Sequence, residues 1–310
     1  MTTVIIIGAG IAGLACARRL VQSGIKPILL DKGRGVGGRV ATRRTEKAQF
    51  DHGAQYLTAQ SAEFADLLRA LVESGAVAQW LDGSGLRHMV GIPGMSALPK
   101  ALAAGLDIRQ NVAVAAVKRE VRGWLLQAGD MNYFADRLIL TTPPAQAATL
   151  LGSEHPLAAS LASIRMEACL TIMASIAAPA PFVSRMALDE ALALIVHDSS
   201  KPGRPTGETV TWVAQASAAF SAEHLEKSPE VASEILLPLL CQQLRVGLDT
   251  VMFAQTHRWR FARVQQPLGQ PFLRDVDAKL HVGGDWCLGQ RVEDAWTSGI
   301  AMADDLLAQL

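Results

Sequence analysis

Val4-Ile5-Ile6-Ile7-Gly8-Ala9-Gly10-Ile11-Ala12-Gly13 decides how this chain is read. Four successive β-branched residues are the mark of a parallel strand buried on both faces. The glycines behind them have the spacing of a strand-to-helix turn that cradles phosphate. Gly8 makes the tight turn, Gly10 lets the backbone approach a pyrophosphate, and Gly13 lets helix and strand pack closely. Ile11 and Ala12 open the helix, whose unpaired N–H groups and partial positive charge favour an anion. The pattern predicts a helix over 12–23, stopped by Gly24, and a second strand over 26–30 that ends at Asp31. Strand, helix and strand form one βαβ unit.

Asp31 stands 18 residues after Gly13, close to the usual spacing of an acid that accepts bonds from ribose hydroxyls. A carboxylate there repels a 2′-phosphate, so this site is not built for NADP. The run Asp31-Lys32-Gly33-Arg34-Gly35-Val36-Gly37-Gly38-Arg39 adds a second glycine turn. Gly37 and Gly38 bring backbone N–H groups toward a cofactor, and Arg39 can neutralise pyrophosphate charge through two parallel bonds. A unit that binds only NAD has no need of this second turn. The order of the three signals favours FAD.

Further along, 61–74 reads as an amphipathic helix with Phe64, Leu67, Leu68 and Leu71 on one face. Residues 89–95 read as a Gly/Pro-rich loop and 96–104 as a helix. Strand-like pieces at 112–119, 124–128 and 137–141 are separated by turns at 122–123 and 129–132. Alternating stretches at 170–176, 192–196 and 209–214 predict antiparallel strands, 201–207 a polar loop, and 229–245 a helix holding Pro238. A strand at 280–282 and a helix at 292–307 close the chain. The expected fold is α/β, or α+β over the whole chain. Residues 1–60, 106–150 and 261–310 form a discontinuous dinucleotide domain with a parallel sheet and a three-stranded meander. Residues 61–105 and 151–260 form a mixed-sheet substrate domain.

Composition bounds the rest. The 310 residues are 50% apolar and carry no formal net charge, with 29 basic and 29 acidic side chains, so charge alone points to neither nucleic acid nor a membrane surface. No apolar run of about 18 residues predicts a membrane span. Cys16, Cys169, Cys241 and Cys287 show no C-x-x-C spacing and read as buried free thiols of a reduced, cytoplasmic protein. Neither a metal-ligand cluster nor a Ser-His-Asp arrangement is visible.

The glycine turn, the ribose acid and the Gly37-Gly38-Arg39 turn together resemble the flavin amine-oxidase superfamily. Within it the chain is similar to the renalases, bacterial ones especially, through Asp51-His52-Gly53-Ala54-Gln55-Tyr56, Gly91-Ile92-Pro93-Gly94-Met95, Trp212-Val213-Ala214-Gln215-Ala216-Ser217, His257-Arg258-Trp259-Arg260-Phe261-Ala262, Gly284-Asp285-Trp286 and Glu293-Asp294-Ala295-Trp296. The resemblance implies noncovalent FAD, since the cysteine motif of covalent flavin attachment is missing. It implies that Val114 meets the adenine, that Asp285 bonds the ribitol chain, and that the helix from Val292 points its positive end at the flavin. It places Gln55 and Tyr56 at the flavin, although Tyr56 also reads as core with a satisfied hydroxyl. On the substrate side it brings in Trp212, His257, Trp259 and Trp296, with Gln55 as a positioning group; each tryptophan also reads as core packing, and His257 as structural. The implied reaction oxidises 1,2- or 1,6-dihydro-NAD(P) to NAD(P)+, with O2 reduced to H2O2. An amine oxidase or desaturase-like enzyme, and a flavin-binding protein without turnover, stay open beside it.

Overall fold

The computed structural model of the protein describes residues 2–46, 48–186, 191–205, 207–277 and 279–310. Val4–Ile7 lies inside a six-stranded sheet whose order is Phe272–Asp275, Leu280–Gly283, Arg137–Leu140, Val4–Ile7, Ile28–Leu30, Asp107–Arg109. Only the first of these pairs is antiparallel. The opening strand is apolar at every position because both its faces are covered. Val4 and Ile6 enter one apolar cluster with the helices, and Ile5 and Ile7 enter another with the meander.

Helix Ile11–Gln22 and the closing helix Val292–Leu307 pack on one face. Gly299 makes their approach possible, since a Cβ there would stand 2.2 Å from the Ala12 carbonyl oxygen. The other face carries the meander, strands Ala116–Glu120, Gly123–Ala128 and Met131–Ala135, through Trp124, Leu126 and Tyr133. The third meander strand, Met131–Ala135, begins where the sequence predicts a turn, and the piece expected at 137–141 follows the meander as a strand of the six-stranded sheet. Met131 pairs directly with Ala128, so the connection is a tight two-residue turn around Gly129. The expected turn at 129–132 absorbed the start of a strand.

The second body is a five-stranded antiparallel sheet in the order Ser184–Met186, Leu192–His197, Val210–Ala216, Met166–Ile176, Val251–Val264. Helix Pro229–Leu244 lays Leu236 and Leu240 into the same apolar cluster as Ile172, Ala174 and Trp212. The 14-residue strand Val251–Val264 runs through the expected domain boundary at 260/261. The boundary expected after residue 60 is likewise unmarked by any break in the core: Phe64, Leu68, Trp80 and Val90 share the cluster of Val4 and Ile6. The start of the loop expected at 89–95 belongs instead to strand His88–Gly91, paired with Val77–Trp80.

A hairpin of Thr42–Arg44 and Gln49–Asp51 bridges the two bodies. Phe50 stacks on Phe253 at 5.5 Å and packs with Met173 and Val213. All four cysteines are buried and unbridged. Among the described residues no helix is long and apolar enough to cross a membrane.

Candidate active site

A cleft of about 1710 Å³ opens at the carboxyl ends of the parallel strands and extends along Val251–Val264. Its volume exceeds the roughly 300–1,000 Å³ of ordinary small-molecule sites. There is room for a dinucleotide beside a second ligand.

The phosphate turn has the form its glycines require. Gly8 has φ +108°, and a Cβ on it would lie 2.6 Å from Thr141 Oγ1. A Cβ on Gly13 would lie 2.0 Å from the Gly8 carbonyl oxygen, so Gly13 serves helix–strand packing. A Cβ on Gly10 would meet no protein atom within 4 Å. Gly10 caps the helix without a side-chain bond, which leaves first-turn N–H groups for a ligand, and Ile11 and Ala12 line the cleft beside it. Gly37 N donates to Ala9 O at 2.8 Å, with φ +108° at Gly37 and +56° at Gly38, so the second glycine turn docks on the first.

Asp31 takes bonds from Ala9 N and Gly33 N, each at 2.6 Å, and so ties both turns to the end of the second strand. Lys32 Nζ donates to Gln146 Oε1 at 3.4 Å. Val114 lines the cleft on the extended segment before the meander. The geometry revises two expectations. Arg39 Nη2 pairs with Asp285 Oδ1 at 2.6 Å, and its Nη1 donates to Ala262 O at 2.9 Å. Arg39 is therefore not a free countercharge for a pyrophosphate, and Asp285 reaches the cleft already ion-paired. Val292 lines the cleft at the start of the closing helix, but Asp294 of that first turn accepts from Arg291 N at 2.8 Å and offsets part of the positive helix end.

The other half of the cleft is aromatic and cationic. Alternation along Val251–Val264 puts Gln255, His257 and Trp259 on one face. Trp259 Nε1 donates to His52 O at 2.8 Å; the two rings stack at 5.3 Å, and His257 stands edge-on to Trp259 at 4.3 Å and to His52 at 4.7 Å. Burial, then the Arg43 cation, lowers the His257 pKa to about 4. Burial, followed by His257 and Arg43, lowers that of His52 to about 3. Both rings are neutral at physiological pH. Among the described residues, ten lysines and arginines line the cleft but only two carboxylates: Asp285, ion-paired with Arg39, and Asp31, held by backbone N–H groups at the glycine turns.

Gln55 lines the cleft but its amide is occupied: Nε2 donates to Asp51 O and to Gly53 O at 3.0 Å, and Oε1 accepts from Lys201 Nζ at 3.1 Å. The expected substrate-positioning role does not suit an amide so engaged. Tyr56 lies against the His88 ring at 3.8 Å, and His88 Nδ1 meets Asp82 Oδ2 at 3.1 Å. Trp212 and Trp296 are corrections as well. Trp212 is buried between His197 and Phe182, Trp296 packs on Phe64, and neither lines the cleft. For both, core packing is the reading that holds.

Beneath Gln55 lies a buried group the sequence did not disclose. Lys201 Nζ is 2.7 Å from Asp198 Oδ1 and 3.3 Å from Asp51 Oδ2; Arg204 Nη2 bonds the same Asp51 oxygen, and its Nη1 donates to Gly91 O at 2.9 Å and Pro93 O at 2.8 Å. Burial would raise the Asp51 pKa, but Lys201 and Arg204 outweigh it and hold the carboxyl below its usual value. The segment read as a polar loop thus plants two cations in the interior. The Asp51–Tyr56 and Gly91–Met95 stretches are the sequence signals for this region.

A parallel sheet with paired glycine turns at its carboxyl ends, a ribose-type acid and a covering meander define a dinucleotide-binding redox fold. Residues 6–71 match an NAD(P)-binding Rossmann-like domain, and residues 78–307 match the family described as flavin containing amine oxidoreductase. The chain belongs to that flavin containing amine oxidoreductase family. Among solved structures it is similar to one from Exiguobacterium named for protoporphyrinogen oxidase, with TM-score 0.82 and 13% identity over 100% of this chain and 99% of that one. It is similar to putrescine oxidase bound to putrescine (TM-score 0.72, 15% identity, 99% of each chain) and to cyclohexylamine oxidase from Brevibacterium oxydans (0.71, 14%, 99% of each). Among curated proteins, lysine-specific histone demethylase 1 homolog 3 of Oryza sativa is 47% identical over 60 residues, which are 18% of this chain and only 7% of that protein.

FAD is the cofactor of this family, and the cleft suits it. The uncapped helix start faces open space at Gly10, and the buried hydroxyls of Ser96 and Thr142 on the cleft wall have no partner among the described residues.

Proposed function

We propose that the protein is a renalase-like oxidase that converts a 1,2- or 1,6-dihydro-NAD(P) isomer to NAD(P)+. The carrying observation is the substrate wall of neutral His52, His257 and Trp259 rings, flanked by arginines and facing no free carboxylate. An ammonium substrate finds no countercharge there. A flat ring bearing phosphates finds both stacking surface and cations.

The first-turn N–H groups of Ile11 and Ala12, with Gly8, Gly10, Gly37 and Gly38, would hold the cofactor pyrophosphate. Asp31 and Lys32 would face the adenosine ribose, and Val114 the adenine. Tyr56, Asp285 and Val292 would border the rest of the molecule, with Arg39 acting through Asp285. Binding would be noncovalent: Cys287 is fully buried and does not line the cleft, and burial raises the pKa of Cys169, which does line it, and keeps its thiol protonated. Bound FAD would supply the hydride acceptor and the route by which the electron pair reaches O2, which with a proton from solvent gives H2O2. A ring that is already dihydro becomes aromatic on losing hydride, so no side chain has to remove a proton. The protein's task is to stack the ring at the right distance and exclude water. Neutral imidazoles suit that task, because charged ones would repel the pyridinium that forms.

The relatives named for putrescine and cyclohexylamine favour a second reading, an amine oxidase. Anaerobic stopped-flow mixing separates the two. Separated dihydro-NAD isomers made with borohydride should bleach the flavin much faster than ordinary β-NADH does. Equal or slower bleaching sinks the proposal. Bleaching by amines alone establishes the second reading, and bleaching by neither leaves a flavin-binding protein without turnover.

A further inference from the structure

Arg43 is set apart among the cleft cations by its place: Arg263 also donates to a neutral glutamine, at 2.5 Å to Gln215 Oε1, but the charge of Arg43 bears on both His52 and His257. Arg39 is paired with Asp285, Arg260 is clamped by Glu226 at 2.6 and 2.8 Å, and Arg291 lies 3.4 Å from Asp294. Arg43 has a single hydrogen bond among the described residues, from Nη1 to the neutral Gln255 Oε1 at 2.8 Å, and no carboxylate within ion-pair distance. A guanidinium carries five N–H donors, so most of its bonding capacity and all of its charge are uncommitted.

Its place is fixed by the fold. Arg43 sits opposite Phe50 in the hairpin, so the two side chains share a face. Phe50 is fully buried against Phe253, and Gln255, two residues on, receives Arg43. The next residues on that face of the strand are His257 and Trp259. The guanidinium therefore lies at one end of the aromatic stripe, close enough for its charge to disfavour protonation of both histidines. Arg44, the next residue, projects from the opposite face of the hairpin and is exposed.

We propose that Arg43 is the phosphate anchor of the substrate site. It binds the phosphate attached to the nicotinamide ribose while the ring lies along His257, His52 and Trp259. Gln255 orients the guanidinium for a two-bonded grip on the phosphate. The anchor also answers an electrostatic difficulty: a pyridinium forming near a bare guanidinium would be repelled, and the negative charge of a bound phosphate offsets that repulsion. This inference rests on the dihydronicotinamide reading.

The test uses the FAD-loaded protein and two oxidised ligands that differ only by the phosphate, nicotinamide mononucleotide and nicotinamide riboside. Binding is followed by perturbation of flavin absorbance, without turnover. Arg43→Gln should weaken the mononucleotide by about 10- to 100-fold and leave the riboside within about twofold. Arg44→Gln should weaken the mononucleotide much less. Equal losses in the two variants, or equal losses for the two ligands, overturn the proposal. Calorimetry with inorganic pyrophosphate separates this outcome from failure of the function itself. If no dihydronicotinamide reduces the flavin, the anchor still requires pyrophosphate to bind the unmodified protein and to bind Arg43→Gln at least tenfold more weakly. Equal binding, or none, overturns it.

Discussion

Single side chains carry most of the site's chemistry, and one hydrogen atom carries some of it. Gly13 does not line the cleft, yet it sets how closely the opening helix meets the first strand. Gly13→Ala puts a methyl group 2.0 Å from the Gly8 carbonyl oxygen, and the turn must shift. The expected cost is about 1–3 kcal/mol of stability together with loss of bound flavin, measured by urea denaturation and by FAD content after purification. Unchanged flavin content would rule out this role. His52 and His257 make a second residue-level prediction. Their folded pKa values lie below the ordinary 6.5, so between pH 6.5 and about 4 the unfolded chain binds protons that the folded chain does not. Stability therefore falls as pH drops through that window and recovers as pH rises. Asp51, held low by Lys201 and Arg204, pushes in the same direction at lower pH. Urea midpoints between pH 7 and pH 4.5 should fall less steeply in His257→Asn, and an identical slope would refute the assignment.

At the scale of elements, the buried ion group is a joint between three pieces of chain. Asp51 closes the bridging hairpin, Gly91 ends the Val77–Gly91 hairpin with Pro93 in the turn after it, and Asp198 to Arg204 follow a strand of the second sheet. Lys201→Met removes the closest cation from Asp198, leaving Arg204 Nε at 3.8 Å. The expected loss is about 3–5 kcal/mol, read as a lower denaturation midpoint, whereas a loss under about 1 kcal/mol would show that the joint is dispensable. This joint also marks where the sequence stops being legible. The βαβ unit, its glycine turns and the closing helix could be read because each is local: a strand period, a turn residue, a cap. Asp51 and Lys201 meet across 150 positions, and nothing near either residue announces the other. Residues 201–204 looked solvated because Lys201 and Arg204 flank the turn residues Pro202 and Gly203. Strand Val251–Val264 was hidden for a related reason. It is an edge strand with mixed surroundings, and its arginines broke the apolar alternation that marks a half-buried strand. Trp212 and Trp296 misled in the opposite sense, since a rare residue type draws notice whether it lines a site or fills a core.

For the molecule as a whole, net charge conceals its distribution. Basic and acidic residues balance over the chain, yet the cleft is strongly cationic. A field of that kind draws in anions over about a Debye length, roughly 10 Å at 0.1 M salt. Flavin reduction at limiting dihydronicotinamide dinucleotide should therefore slow several-fold as ionic strength rises from about 0.02 to 0.5 M, while the rate at saturation stays constant. Stopped-flow rates across a salt series decide it: no dependence at limiting substrate would mean that the cleft charge does not steer.

The four buried thiols take on meaning once the proposed reaction is set beside them. An oxidase of this kind releases an oxidant into its own interior, and thiolates are what peroxide attacks. Burial pushes all four cysteines up, Cys287 to about 12, and Cys169, on the cleft wall itself, is also raised. Each sulfur is kept in the protonated form that reacts slowly. Under the proposed reaction, the packing that builds the core would also shield these sulfurs from the peroxide formed.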